Sequence, residues 1–167
     1  SLRVDRKYRP LDMVDIAQLL AVYPDAFVVT DTKSTSPRHV RRQFRAIAEA
    51  AEGMPLLRVA DRIVPQIYNR EMYGELESIY PFSSYIYTLY QSADTDEEVI
   101  RFVTFTPKIK AVAMSEDRVS QALVFGLKKL GVKTYVHTVN DPDRFEAYRR
   151  QGIDGVYTDR LDPSSVN

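Results

Sequence analysis

Residues 133–159, "KTYVHTVNDPDRFEAYRRQGIDGVYTD", decide the fold. The β-branched and aromatic run "KTYVH" predicts a strand, "DPDRFEAYRRQG" a helix stopped by Gly152, and "GVYTD" a second strand. Two strands joined by one helix lie parallel. Both strands finish on polar residues: His137, Thr138 and Asn140 after the first, Tyr157, Thr158 and Asp159 after the second. In parallel α/β proteins the chemistry sits at those C-terminal strand ends.

The same alternation runs back through the chain. Segments 11–23 and 36–52 carry apolar residues at three- and four-residue spacing, and Ser36 before Pro37 gives the second an N-cap and a proline at its first position. Between them "AFVVTDTK" reads as a strand. There follow "DRIVPQIYN" (strand), "REMYGELESIY" (helix), "SYIYTLYQ" (strand), "TDEEVIRFVTF" (helix capped by Thr95 or Asp94), "KIKAVAM" (strand) and "SEDRVSQALVFGLKKLG" (helix closed by Gly131). About six strands alternate with helices, and their apolar runs fit strands covered by helices. The glycine-rich turn of a nucleotide-binding open sheet is missing, and a full barrel has eight units. Spacing alone leaves an open doubly wound sheet and a (β/α) barrel both standing.

The bulk numbers narrow the function. The 167 residues fit one domain, residues 1–167, and the 23 basic and 23 acidic residues cancel. Without a net positive charge, nucleic acid is not an expected partner. The sequence has no cysteine, which excludes disulfides, thiolate metal sites and a cysteine nucleophile. No run approaches a membrane span, and the opening "SLRVDRKYRP" is too polar for a signal peptide. A cytoplasmic protein is the expectation, with Ser1 lying inside a longer reading frame.

The predicted strand ends carry Asp31 and Lys33, Gln66 and Tyr68, Tyr90 and Gln91, Met114 and Glu116, His137 and Asn140, then Thr158 and Asp159. Asp31 and Lys33, two apart on a strand, leave one face together. They read either as an ion pair or as a carboxylate and ammonium that hold a divalent cation and a phosphate oxygen. His137 reads as a hydrogen-bonded rim histidine or a catalytic one. Asp159 reads as a site residue or a partner of Arg160, and Gln66 as a site amide or one satisfied by backbone. His39, in "RHVRRQFR", belongs to a solvated helix face, and the tyrosines of "SIYPFSSYIYTLYQ" to the core with phenol tips at the rim.

Together "YPDAFVVTDTK", "RIVPQIYN", "YVHTVND" and "GIDGVYTDRLDP" resemble the glycerophosphodiester phosphodiesterase family from about Tyr8 to Pro163. The resemblance implies a parallel α/β chain of TIM-barrel type holding about six of eight β-α units. It implies hydrolysis of a glycerophosphodiester to glycerol phosphate and an alcohol, with Ca²⁺ or Mg²⁺ as cofactor. Asp31 in "TDTK" falls at the glutamate of a strand-end "E-x-K" and would ligate the metal; Lys33 matches its lysine and would act on the phosphate. Gln66, His137, Asn140 and Asp159 fall at substrate-facing positions, His137 where tryptophan is common. The family's His-Arg pair, its "E-x-D" pair and its second histidine have no match here. The chain alone is therefore expected to be inactive, and to associate with itself or with a missing N-terminal barrel segment. The rival reading is a non-catalytic module that binds a polyol phosphate or serves as a scaffold.

Overall fold

The computed structural model describes residues 8–53 and 59–162. The chain forms two compact units, one from residues 1–65 and 74–83, the other from 66–73 and 84–167. The polar opening at residues 1–7 and the closing Pro163 of the family-like motif lie outside the described residues.

In the first unit, α1 (Met13–Val22) starts from a reciprocal cap: Asp12 accepts the Val14 and Asp15 N–H groups, and the Asp12 N–H donates to Asp15. Helix α2 (Pro37–Glu52) buries Val40, Phe44, Ile47, Ala48 and Ala51, one stripe at helical spacing. Phe44 meets Phe82 edge-on at 5.9 Å. Arg41 clamps Glu75 through two hydrogen bonds of 2.5 and 2.9 Å, which hold the Glu75 carboxyl below its usual range. Strands β1 (Val28–Val29) and β2 (Ile63–Val64) pair in parallel. The expected eight-residue strand "AFVVTDTK" is thus only two residues long. Its neighbour offers no further ladder, because Pro65 has no N–H to donate.

The expected single strand "DRIVPQIYN" divides at the same proline into β2 and β3 (Gln66–Ile67), so the described residues hold seven strands where six were expected. The second unit holds the five-stranded parallel sheet β3-β4-β5-β6-β7, with β4 Tyr85–Thr88, β5 Ile109–Ser115, β6 Lys133–His137 and β7 Gly155–Tyr157. Helix α3 (Arg70–Ile79) follows β3, α4 (Asp96–Thr104) follows β4, α5 (Gln121–Lys129) follows β5 and α6 (Pro142–Arg150) follows β6. Neighbouring strands follow each other in sequence, the order β-α repeats produce. The fold is therefore α/β with parallel sheets, as the alternation predicted.

Local chemistry sets the ends. Thr95, not Asp94, caps α4, exchanging hydrogen bonds with Glu98. The helix expected from Ser115 starts later: β5 runs through Ser115, a single tight turn follows, and Ser120 caps α5 through the Leu123 N–H. Gly131 (φ +70°) and Gly152 (φ +92°) end their helices in the left-handed conformation that glycine accepts without penalty. At Gly155 a Cβ would lie 2.8 Å from the Tyr135 ring, so only glycine lets that ring cross β7. The core of this unit is Tyr85, Tyr87, Ile109, Val112, Met114, Leu123, Leu127 and Val136, all within 2% of full burial. Among the described residues no helix is long and apolar enough to cross a membrane.

Candidate functional site

In the second unit the strand ends meet through side chains far apart in sequence. Parallel register sets His137 beside Tyr157 and Tyr135 beside Gly155. Residues 135 and 137 share one strand face, and so do 155 and 157. On that face the Tyr157 hydroxyl donates to Gln66 Oε1 at 3.2 Å, bridging β7 to β3, while Gln66 Nε2 lies 3.4 Å from the Tyr68 hydroxyl. Gln66 is buried, at 7% exposure, so an unsatisfied amide there would be costly. Sequence reasoning placed Gln66 at the site and missed that Tyr157 is its partner.

His137 packs edge-on to Tyr90 (6.1 Å between centroids) and lies 6.3 Å from Tyr157. Its Nε2 is buried with no hydrogen-bond partner. Burial lowers its pKa, while the charge of Asp117 pulls the other way. The imidazole is therefore neutral at pH 7. The expected rim histidine is present, without the hydrogen bond expected of it. Tyr90 and Gln91, expected at the end of the strand, lie instead in a tight turn, because β4 stops at Thr88.

Asn140 explains why the last two strands finish on polar residues. Its Oδ1 accepts from the Thr158 hydroxyl at 3.0 Å and from the Asp159 N–H at 2.9 Å, tying the loop after β6 to the loop after β7. Thr158 Oγ1 in turn accepts the N–H groups of Arg160 and Leu161. Asn140 and Asp159 thus come together, with backbone geometry as the link.

A second polar knot follows β4. Asp94 takes hydrogen bonds from Arg70 Nε (3.0 Å) and the Tyr87 hydroxyl (2.7 Å), and Tyr87 also lies 2.7 Å from Ser92 Oγ. Burial raises the Tyr87 pKa, which keeps the phenol a donor. Glu116 is occupied by Tyr148 (2.8 Å) and Arg144 (2.5 Å). Neither knot was legible in the sequence, because each joins residues more than 20 positions apart.

In the first unit Asp31 and Lys33 form an ion pair. They sit beyond β1, so the pairing comes from the loop and not from a shared strand face. A cavity of about 420 Å³ lies beside them, lined also by Ser34, His39, Arg42 and Gln43. His39 is exposed, as expected, and also reaches this cavity, its Nδ1 2.6 Å from Ser36 Oγ. Ser36 thus spends its hydroxyl on His39 and makes no side-chain cap on α2. The cationic lining suits an anion. Among the described residues no three His, Cys, Asp or Glu side chains converge as a metal cluster.

Residues 61–163 match the glycerophosphoryl diester phosphodiesterase family. No curated protein matches the chain by sequence at a significant level. Among solved structures, the chain is similar to a glycerophosphodiester phosphodiesterase of Parabacteroides distasonis, with TM-score 0.70, 15% identity, 95% of this chain and 63% of that one covered. It is similar to a phosphodiesterase of Oleispira antarctica in complex with the product sn-glycerol-3-phosphate, with TM-score 0.65, 12% identity and coverage of 92% and 58%. A glycerophosphodiester phosphodiesterase of Agrobacterium tumefaciens gives TM-score 0.58, 18% identity and coverage of 86% and 56%. At such identities the likeness is one of fold. The chain spans less than two thirds of the length of each of these proteins.

Proposed function

The chain belongs to the glycerophosphoryl diester phosphodiesterase family, and from that membership we propose that the whole protein hydrolyses glycerophosphodiesters to glycerol phosphate and an alcohol. Residues 1–167 are, in this reading, the C-terminal portion of the barrel. The observation that carries it is the family match itself, because residues 61–163 include every strand end of the second unit from Gln66 to Asp159. A phosphodiesterase of the same fold is bound to sn-glycerol-3-phosphate, which supports a small polyol phosphate as ligand.

The roles divide by chemistry. Lys33, beside a cavity lined by Arg42 and His39, offsets charge on the phosphoryl oxygens. Gln66, His137, Asn140 and Asp159 bind the polyol. The neutral His137 imidazole and the Gln66 amide present uncharged groups, which suit hydroxyls better than phosphate. A Ca²⁺ or Mg²⁺ ion does not fit the described residues by themselves: a hard cation takes several oxygen ligands, and Asp31 contributes one carboxylate that already faces an ammonium. Asp31 is proposed as a single ligand in the whole barrel, and no step is routed through the ion.

This chain alone lacks the two family histidines that would move protons, each role being worth about 10²–10⁴-fold. We expect it to be inactive and to associate, either with itself or with the remaining barrel segment. Val22, Tyr23, Phe27 and Val29 of the first unit are exposed, which supports association. The test is turnover of glycerophosphocholine by the whole protein. It should hydrolyse the diester, and Asn140→Ala should lower kcat/KM by about tenfold or more as the loops after β6 and β7 come apart. The rival reading is a non-catalytic polyol-phosphate-binding module. Saturable binding of glycerol phosphate by the whole protein, with no turnover at any cation concentration, would establish that rival.

A further inference from the structure

In the second unit the two edges of the sheet differ in their acids: at the strand C-terminal edge the arginines Arg70, Arg118 and Arg144 are matched by carboxylates, pairing with Asp94, Asp96 and Glu116. Asp94, Asp96, Glu116, Asp117 and Asp141 all follow strand C-terminal ends. At the opposite edge α4 and α5 finish and β5 and β6 begin. There the segments 105–110, "FTPKIK", and 121–133, "QALVFGLKKLGVK", hold five lysines and no acid. Asp154 reaches this edge but is held by Lys133 (2.7 Å) and by the Thr134 N–H (2.9 Å). The whole chain has net charge zero, so the lysines reflect a local cluster and not a general excess.

Two phenylalanines stand on the same helix pair. Phe105, closing α4, is 81% exposed, and Phe125 in α5 is 59% exposed. The two helices abut closely, since a Cβ on Gly126 would lie 2.4 Å from Ile100. Leu123, Val124 and Leu127 turn inward, which leaves Phe125 and Lys129 on the outer face, the ammonium 4.3 Å from the ring centroid. Lysines at helix C-termini are expected from the helix dipole. That effect does not account for Lys110 on β5 or for aromatic rings left in water, while Lys133 is already matched by Asp154.

We propose that this edge docks on an anionic bilayer surface, with Phe105 and Phe125 entering the headgroup boundary and the lysines pairing with acidic lipid headgroups. Charge complementarity selects the partner, and exposed aromatics among basic residues are the pattern of interfacial binding. A ring four-fifths exposed is a protrusion, which a deformable lipid surface accepts and a preformed acidic groove does not require. Docked this way, the strand ends carrying His137 and Asn140 face solution.

The test is sedimentation of the 167-residue chain with vesicles of phosphatidylcholine alone or with added phosphatidylserine. Binding is expected only with phosphatidylserine, weakening as salt rises. Each basic residue near such a surface adds about fivefold, so the double substitution Lys128→Glu with Lys129→Glu should lower binding by at least about 25-fold. Phe105→Ser with Phe125→Ser should abolish the fraction that survives high salt. Arg38→Glu with Arg45→Glu on α2 should leave binding unchanged. All these side chains are exposed, and matching circular-dichroism melts check that the variants fold. The proposal is overturned by equal binding to neutral vesicles, by no binding to anionic ones, or by loss confined to the α2 variant. Retention on immobilised polyglutamate that the phenylalanine variant leaves intact would also overturn it, and would indicate an acidic protein partner.

Discussion

The two units use the same strand chemistry to different depths. In the first, β1 and β2 share two paired positions and the ladder stops at Pro65. In the second, five strands pair side by side from Gln66 to Tyr157 with a register shift between Tyr85 and Ile86, and β5 alone pairs at five positions with β6. The polar residues differ accordingly. Asp31 and Lys33 meet in a loop, with side chains 57% and 88% exposed. Gln66, Tyr157, Asn140 and Asp94 are instead held by contacts that reach across strands. A long ladder fixes where a strand-end side chain points, whereas a short one leaves that to local pairing.

The largest expected effect tests this contrast on stability. Leu127 is fully buried under the five-stranded sheet, and Leu127→Ala should cost about 2–5 kcal/mol in urea unfolding. Amide exchange should match. The N–H groups of Val112 and Val136 should be the slowest in the chain, and those of Val29 and Val64 should exchange with the loops. Equal protection of β1–β2 and β5–β6 would break the comparison.

The same contrast marks what could be read from sequence. Helix stripes such as Val40, Phe44 and Ile47, and stop signals such as Gly131 and Gly152, act within a few residues, so they were legible. Asn140 was also legible as a strand-end residue, though its bond to Asp159 was not. Pro65 was visible in "IVPQ", but its effect depends on which strand lies alongside. The Arg70–Asp94–Tyr87 knot and the Tyr157–Gln66 bridge depend on the register of distant strands, which no local pattern encodes. The expectation that Asp31 and Lys33 share a strand face failed for the converse reason, since the strand carrying them lacked a ladder long enough to reach them.

A middle-sized effect concerns pH. His137 has its pKa lowered by burial, so the folded chain binds fewer protons than the unfolded chain just below the ordinary histidine value of 6.5. The corresponding stability is complete above that value and is lost as pH falls through it toward the lowered folded pKa. Urea midpoints should therefore drop between about pH 7.5 and pH 5.5. In His137→Asn most of that drop should vanish, leaving the decline near pH 4 from Glu75, Glu98 and Asp154, whose pKa values are also lowered. A pH slope unchanged by His137→Asn would mean that burial of this ring is not felt in folding, and the firm hold attributed to the longer ladder would be lost with it.

The smallest expected effect is in the first unit. The Asp31–Lys33 pair is largely in water, where an ion pair is worth about 0–1 kcal/mol and is screened at ordinary salt. Lys33→Ala should therefore move the unfolding midpoint by no more than about 0.5 kcal/mol, the range of surface substitutions. If Lys33 meets a phosphoryl group in the whole protein, the same substitution should lower kcat about a hundredfold or more. Asp31→Asn isolates the pair in the unfolding measurement, because it removes the pair but keeps the ammonium; its effect on kcat would report the proposed metal ligand as well. Stability and kcat both near wild type in Lys33→Ala would reduce the pair to a loop contact. A clear loss of stability would show instead that the short ladder of the first unit depends on this loop, and the contrast between the units would narrow.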